Sequence, residues 1–174
     1  MSSLIKPFIS SLDALSAVIG RTVSWLTLVM AVITVIVVVL RYGFSTGSIV
    51  LQESITYMHA CVFLLAAAYT LQRDAHVRVD IFYRSFSSRQ KAWVNAVGGV
   101  LFLLPLCGFI IFVSWNFAST SWAIFEGSPH ANGIPATFLL KSLIPSMGIL
   151  LALQGIAETL KSLIILMKAD HNAN

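Results

Sequence analysis

Four long apolar runs follow one another along the chain, separated by three polar breaks and preceded by a segment of different rhythm. Residues 22–40 hold no charged side chain, and at about 1.5 Å per residue such a run covers roughly the 30 Å hydrocarbon core of a bilayer. Its valines and isoleucines would favour a strand in water. In lipid a lone strand leaves its backbone groups unpaired, so the run predicts a helix. A second run, 54–71, is the most polar, with Tyr57, His59, Cys61, Tyr69 and Thr70, and predicts a span with at least one protein-facing side. The third, 93–115, carries Trp93 and Trp115 at its two ends, as interfacial anchors would be placed. Just before it, Ser87 followed three residues later by Gln90 matches a capping box and predicts a helix start there. The fourth run, 139–167, ends among Lys161, Lys168 and a polar tail, 168–174. In the leading segment, 1–21, Leu4, Ile5, Phe8, Ile9, Leu12, Leu15, Val18 and Ile19 recur at three-to-four spacing around Ser10, Ser11, Asp13 and Ser16. That pattern predicts an amphipathic helix lying in the membrane interface. The expected architecture is an all-α integral membrane protein: the segment 1–21, a single four-helix transmembrane domain over 22–167, and the tail.

Composition supports this reading: 57% of the residues are hydrophobic and 10% charged, with a mean hydropathy of +0.87, well outside the soluble range. The net charge of +4 does not point to nucleic acid, because it is reached with few charges and without a basic face. Its distribution instead sets topology. Lys6, Arg21, Arg73, Arg78, Arg84, Arg89, Lys91, Lys161 and Lys168 fall at one set of helix ends, and only Arg41 and Lys141 at the other. Basic residues are retained inside, so both termini are expected in the cytoplasm and the 114–138 connection outside. Residues 72–93 alone hold Arg73, Arg78, Arg84, Arg89 and Lys91, around the alternating run His76-Val77-Arg78-Val79-Asp80. The first apolar run is too long for a signal-peptide core and is followed by Arg41-Tyr42-Gly43-Phe44, so it is expected to stay attached. Cys61 and Cys107 lie inside apolar runs and behave as small hydrophobes.

Candidate chemistry is sparse. His59 is the ionisable group set well inside a span. A haem would need a second histidine at membrane depth, and His76, His130 and His171 fall in loops or the tail. An interhelical hydrogen bond is the expected role of His59. Glu53 sits at the mouth of the second span and Glu158 near the end of the fourth, so neither offers a mid-membrane carboxylate. Pro105-x-x-Gly108 and Pro145-x-x-Gly148 lie at different depths and are expected to be packing kinks rather than paired broken helices. His76 and Asp80 have helical i, i+4 spacing, yet the surrounding arginines make a poor cation site. Arg41 and Glu53, flanking one short connection, are expected to form a local ion pair. No catalytic, cofactor or metal residues emerge, which suits a scaffold or subunit rather than an enzyme.

Arg41-Tyr42-x-Phe44 closing the first span, Glu53 opening the second, His76-Val77-x-Val79-Asp80 and Arg89 before the third, then Glu126, Gly133-Ile134-Pro135, Pro145, Gly148 and Leu153-Gln154 form an ordered set. In order and spacing, over about 12–167, it resembles the small permease subunit of TRAP (tripartite ATP-independent periplasmic) transporters, the DctQ-like family. The resemblance implies a multi-pass protein of the bacterial inner membrane, without cofactor, supporting sodium-coupled uptake of an organic anion such as a carboxylate. Its implied partners are a large permease subunit, forming a heterodimer with it, a periplasmic substrate-binding protein that docks transiently, and membrane lipid. Residues expected at partner interfaces or in structural roles are Arg41, Glu53, His59, His76, Asp80, Arg89, Trp122, Glu126, Gly133 and Pro135. The competing classes are a structural or assembly membrane protein and a stand-alone four-helix exporter; the latter needs a carboxylate in its first span, where 22–40 has none.

Overall fold

The computed structural model describes residues 2–76 and 83–171. It consists of α1 (Ser2–Gly43), α2 (Ile49–Leu65), α3 (Ala67–Gln72), α4 (Ser88–Gly98), a π-helical turn (Gly99–Leu103), α5 (Leu104–Ala123) and α6 (Thr137–His171). No strand occurs among the described residues. Four stretches are long and apolar enough to cross a membrane: Ile5–Gly43, Ile49–Gln72, Ser88–Ala123 and Thr137–Lys168.

The number and order of spans match the apolar pattern; the ends differ. The leading amphipathic segment and the first span form one uninterrupted helix, α1. After Pro7 no residue within it lacks a backbone N–H, so propagation continues through the junction at 21/22. The second helix begins at Ile49, five residues before the expected 54, with Ser48 as its N-cap: the Leu51 amide donates to the Ser48 hydroxyl at 3.4 Å. Glu53 therefore lies in the second turn of α2 instead of ahead of it. A break at Ala66 separates α2 from α3, and together they make the second span.

The capping box forms as expected. The Gln90 amide donates to Ser87 Oγ at 3.3 Å and the Ser87 amide to Gln90 Oε1 at 2.8 Å. At its other end the third span runs on to Ala123, so the connection shrinks from 114–138 to 124–136. Residues 116–123 look loop-like because they are polar. They stay helical because Ala118 and Ser121 are buried in the packed structure, while Ser119 bonds back to the Asn116 carbonyl at 3.2 Å. Pro105 follows the π-helical turn. A proline there cannot donate to the Leu101 carbonyl, and the wider turn, closed by the Leu104 amide on the Gly99 carbonyl, accommodates it.

α6 is the hub, packing against α1, α2, α3, α4 and α5, while α1 also packs along α2 and α3. The apolar stripe of the amphipathic segment meets α6: Ile9, Leu12 and Ala157 form the buried cluster, flanked by Ile5, Leu153, Leu160 and Ile164. Phe8, Leu15 and Val18 stay exposed on another side, open to lipid. The π-helical turn and α5 lie close to α6 because Gly155 and Gly148 have no side chain there; a Cβ would come within 2.8 Å of Leu103 in the turn and of Ile111 on α5, respectively.

Candidate functional site

Polar side chains collect in two clusters, one at each end of the helices. On α6, Gln154, Glu158 and Lys161 recur at i, i+4, i+7 and so share one stripe, facing Asp13 and Ser16 of α1. Gln154 is fully buried. Its Oε1 accepts from the Ser16 hydroxyl at 2.7 Å, and its Nε2 donates to Asp13 Oδ1 at 2.8 Å and to Glu158 Oε1 at 2.9 Å. The Lys161 ammonium completes the arrangement, 2.8 Å from both carboxylates, and the Gln72 amide donates to the Asp13 carbonyl oxygen at 2.8 Å. Two carboxylates, one ammonium and two carboxamides thus hold α1, α3 and α6 together. All three charged groups are engaged with one another, so the cluster ties helices together. Sequence reasoning placed Asp13 on a solvated face and read Lys161 only as a topological charge. The legible signal was Gln154 in an apolar run, with Glu158 and Lys161 on the same helical face.

At the opposite end, the connection 124–136 folds back on the helices. Glu53 accepts hydrogen bonds from the Ser128 hydroxyl and, at 2.6 Å, from the Ile134 amide. The turn closes through the Ser128 amide on the Ile134 carbonyl at 3.2 Å, with Phe125 and Asn132 in the left-handed region at φ 46 and 62. Gly133 is pressed onto this contact: a Cβ there would overlap both Ser128 and the Glu53 carboxylate. Pro135 lies against Gly127, 3.5 Å from where a Cβ would stand.

Beside it, Glu126 pairs with Lys141, whose ammonium also sits 4.2 Å from the centre of the Phe117 ring. Trp122 donates from its indole nitrogen to Ser142 Oγ at 2.6 Å. Its ring meets Phe138 edge-on at 4.5 Å, and Phe125 stands 5.7 Å from Phe138.

The structure therefore brings Glu53, Trp122, Glu126, Gly133 and Pro135 to one end of the molecule. The expected Arg41–Glu53 ion pair is not formed. Glu53 is turned toward the loop, where a hydroxyl and a backbone amide are already positioned as donors, and Arg41 is exposed at the end of α1. Nor does His59 make the expected bond between helices. It is exposed, with its ring stacked on Phe63 at 6.3 Å and no hydrogen bond to another described residue. His76 is exposed with Nε2 3.3 Å from the Ala67 carbonyl, and Arg89 lies in the first turn of α4. Asp80, and with it the His76–Asp80 pairing, lies outside the described residues. No group of three metal-ligating side chains occurs among the described residues.

The hydrogen bond from Lys141 is the first cause holding the Glu126 carboxyl below the usual carboxylate range. A depressed carboxylate stabilises the fold above its unfolded value, and the contribution is lost as pH falls through the folded value. In a chain with Trp25, Trp93 and Trp115 replaced by phenylalanine, acidification is expected to increase the quenching of the part-exposed Trp122 by an aqueous quencher. Lys141→Met is expected to move that transition to higher pH; an unmoved midpoint would show that another group controls the loop.

Four helical stretches long and apolar enough to cross a membrane thus carry charged groups that tie helix to helix and loop to helix, the architecture of an all-α membrane protein. The family model for tripartite ATP-independent periplasmic transporters, DctQ component, matches residues 30–164, and the chain belongs to that family. No curated protein and no solved structure matches it significantly.

Proposed function

We propose that this small TRAP subunit braces a large permease subunit in the bacterial inner membrane while that subunit carries out sodium-coupled uptake of an organic anion, a carboxylate in our reading. The observation that carries the proposal is the family match over 30–164. The geometry supports a brace: Asp13 on α1 and Glu158 on α6 share the Lys161 ammonium, and Glu53 and Glu126 are engaged by the loop and Lys141. No carboxylate in this arrangement is left mid-span to bind a coupling ion.

In this reading the basic end is cytoplasmic, with both termini, and the 124–136 loop faces the periplasm. The loop is held stiffly by Glu53 and the Trp122–Phe138 contact, as a surface that a binding protein meets repeatedly would need to be. His76 and Arg89 then lie toward the inner leaflet, and Arg41 at the periplasmic rim.

Co-expression with the large permease subunit encoded beside it tests the proposal. The tagged chain is expected to retain that subunit through detergent purification. The reconstituted pair, given its binding protein, is expected to take up a carboxylate only with a sodium gradient. Full uptake by the large subunit without this chain would remove the bracing role.

A further inference from the structure

The span richest in polar side chains leaves one stripe of its first helix uncovered by the rest of the described chain. α2 has no buried residue, although α1 and α6 both pack along it. Gln52, Thr56, His59 and Phe63 are all exposed, at i, i+4, i+7 and i+11, so they form one stripe on the side neither neighbour covers. Phe63 at its lower end is 72% exposed.

Depth makes this stripe different from the other exposed surfaces. In the 24-residue span Ile49–Gln72, His59 lies about 15 Å from the first residue, near the middle of a core of roughly 30 Å. Acyl chains offer an imidazole neither donor nor acceptor, and water is absent there. Polar side chains elsewhere avoid this difficulty. Ser24 and Thr34, exposed on α1, donate back to their own helix, to the Arg21 and Met30 carbonyls at 2.8 and 2.7 Å. Thr56 does the same less closely, to the Gln52 carbonyl at 3.5 Å. Asn116, exposed on α5, is within two turns of Ala123 and can reach the headgroups. Other exposed faces are aliphatic or phenyl, such as Val32, Val35 and Val39 on α1, Phe102 in the π-helical turn and Phe109 on α5, and lie against lipid without cost. His59 has none of these outlets: its ring stacks on Phe63, and it makes no hydrogen bond among the described residues.

We infer that the Gln52, Thr56, His59 and Phe63 stripe is the face on which a transmembrane helix of the large permease subunit packs, offering a hydroxyl or carboxamide at mid-membrane depth to the His59 imidazole. The inference rests on the bracing role proposed above and adds which face is used. Phe63 supplies the apolar anchor beside the hydrogen bond, and Gln52 and Thr56 continue the contact toward the loop end.

A benzophenone amino acid placed in turn at Thr56, Phe63, Val35 and Phe109, in the chain co-expressed with the large permease subunit, tests this. Irradiation of membranes is expected to join the two subunits from positions 56 and 63 and not from 35 or 109. His59→Leu is expected to reduce the large subunit retained in purification by roughly three- to tenfold, with His59→Gln restoring most of it, while both variants remain monodisperse at unchanged yield. Cross-links from 35 or 109 alone, with the subunits still co-purifying, would overturn the choice of face and leave the bracing role standing. An adduct from 56 or 63 to a second copy of this chain would overturn it in favour of self-association. Failure of the unmodified chain to retain the large subunit would instead sink the bracing role and this inference together.

Discussion

Gln154→Leu is expected to lower the stability of the detergent-purified protein by about 3 kcal/mol, read as an earlier unfolding midpoint in heat or denaturant. Leucine nearly conserves the volume, so the change opens no cavity and isolates the polar contribution. Three hydrogen bonds disappear together. The Ser16 hydroxyl loses its acceptor, and Asp13 and Glu158 are left competing for the Lys161 ammonium alone. A single hydrogen bond between membrane helices averages only about 0.6 kcal/mol; the larger figure comes from orphaning several groups at a fully buried position. Ser16→Ala combined with Gln154→Leu is expected to cost less than the two changes added, because the double variant leaves no hydroxyl unpaired. A loss within about 0.5 kcal/mol for Gln154→Leu would show that the network specifies helix pairing without net stabilisation.

Gly99→Ala is the second large effect, expected to cost about 2 kcal/mol through overpacking. Gly99 opens the π-helical turn and lies where the third span meets the fourth. A Cβ there would overlap Thr159 Oγ1. That hydroxyl cannot easily move aside, since it is buried and donates to the Gly155 carbonyl at 2.8 Å. Thr159→Ala in the same chain is expected to recover more than half of the loss, because it removes the clashing atom and the hydroxyl is only back-bonded to its own helix. If the double variant were no better than Gly99→Ala alone, the cost would reside in the π turn itself and not in contact with α6.

The loop-end cluster shows how far residue types can be read before contacts are known. Glu53, Trp122, Glu126, Gly133 and Pro135 stand out in the sequence as polar, aromatic or turn-forming residues flanking apolar runs, and they do converge in space. Their pairing was less legible. Arg41 is nearer to Glu53 along the chain than Ser128 or Ile134, and charge alone favours it, but the folded loop presents a hydroxyl and an amide already aimed at the carboxylate. Helix ends were obscured for a related reason. The stretch 49–53 looks like a connection because it follows a turn-rich run and ends at the charged Glu53, and 116–123 because it is polar, yet a serine N-cap extends one helix, and back-bonding together with burial extends the other.

Run length and the Ser87–Gln90 cap suffice to determine from the sequence that this is a four-span helical membrane protein, because in lipid a single helix satisfies its own backbone locally. Which faces meet was decided only by the tertiary structure. In water an apolar stripe marks the buried side of a helix; in a bilayer lipid and protein neighbours are equally apolar, so that signal fades. Hydropathy therefore could not show that Gln154 is the buried centre of a network joining residues as distant as Asp13 and Lys161, nor that His59 faces outward from the chain. Both depend on how α6 gathers the other helices around it.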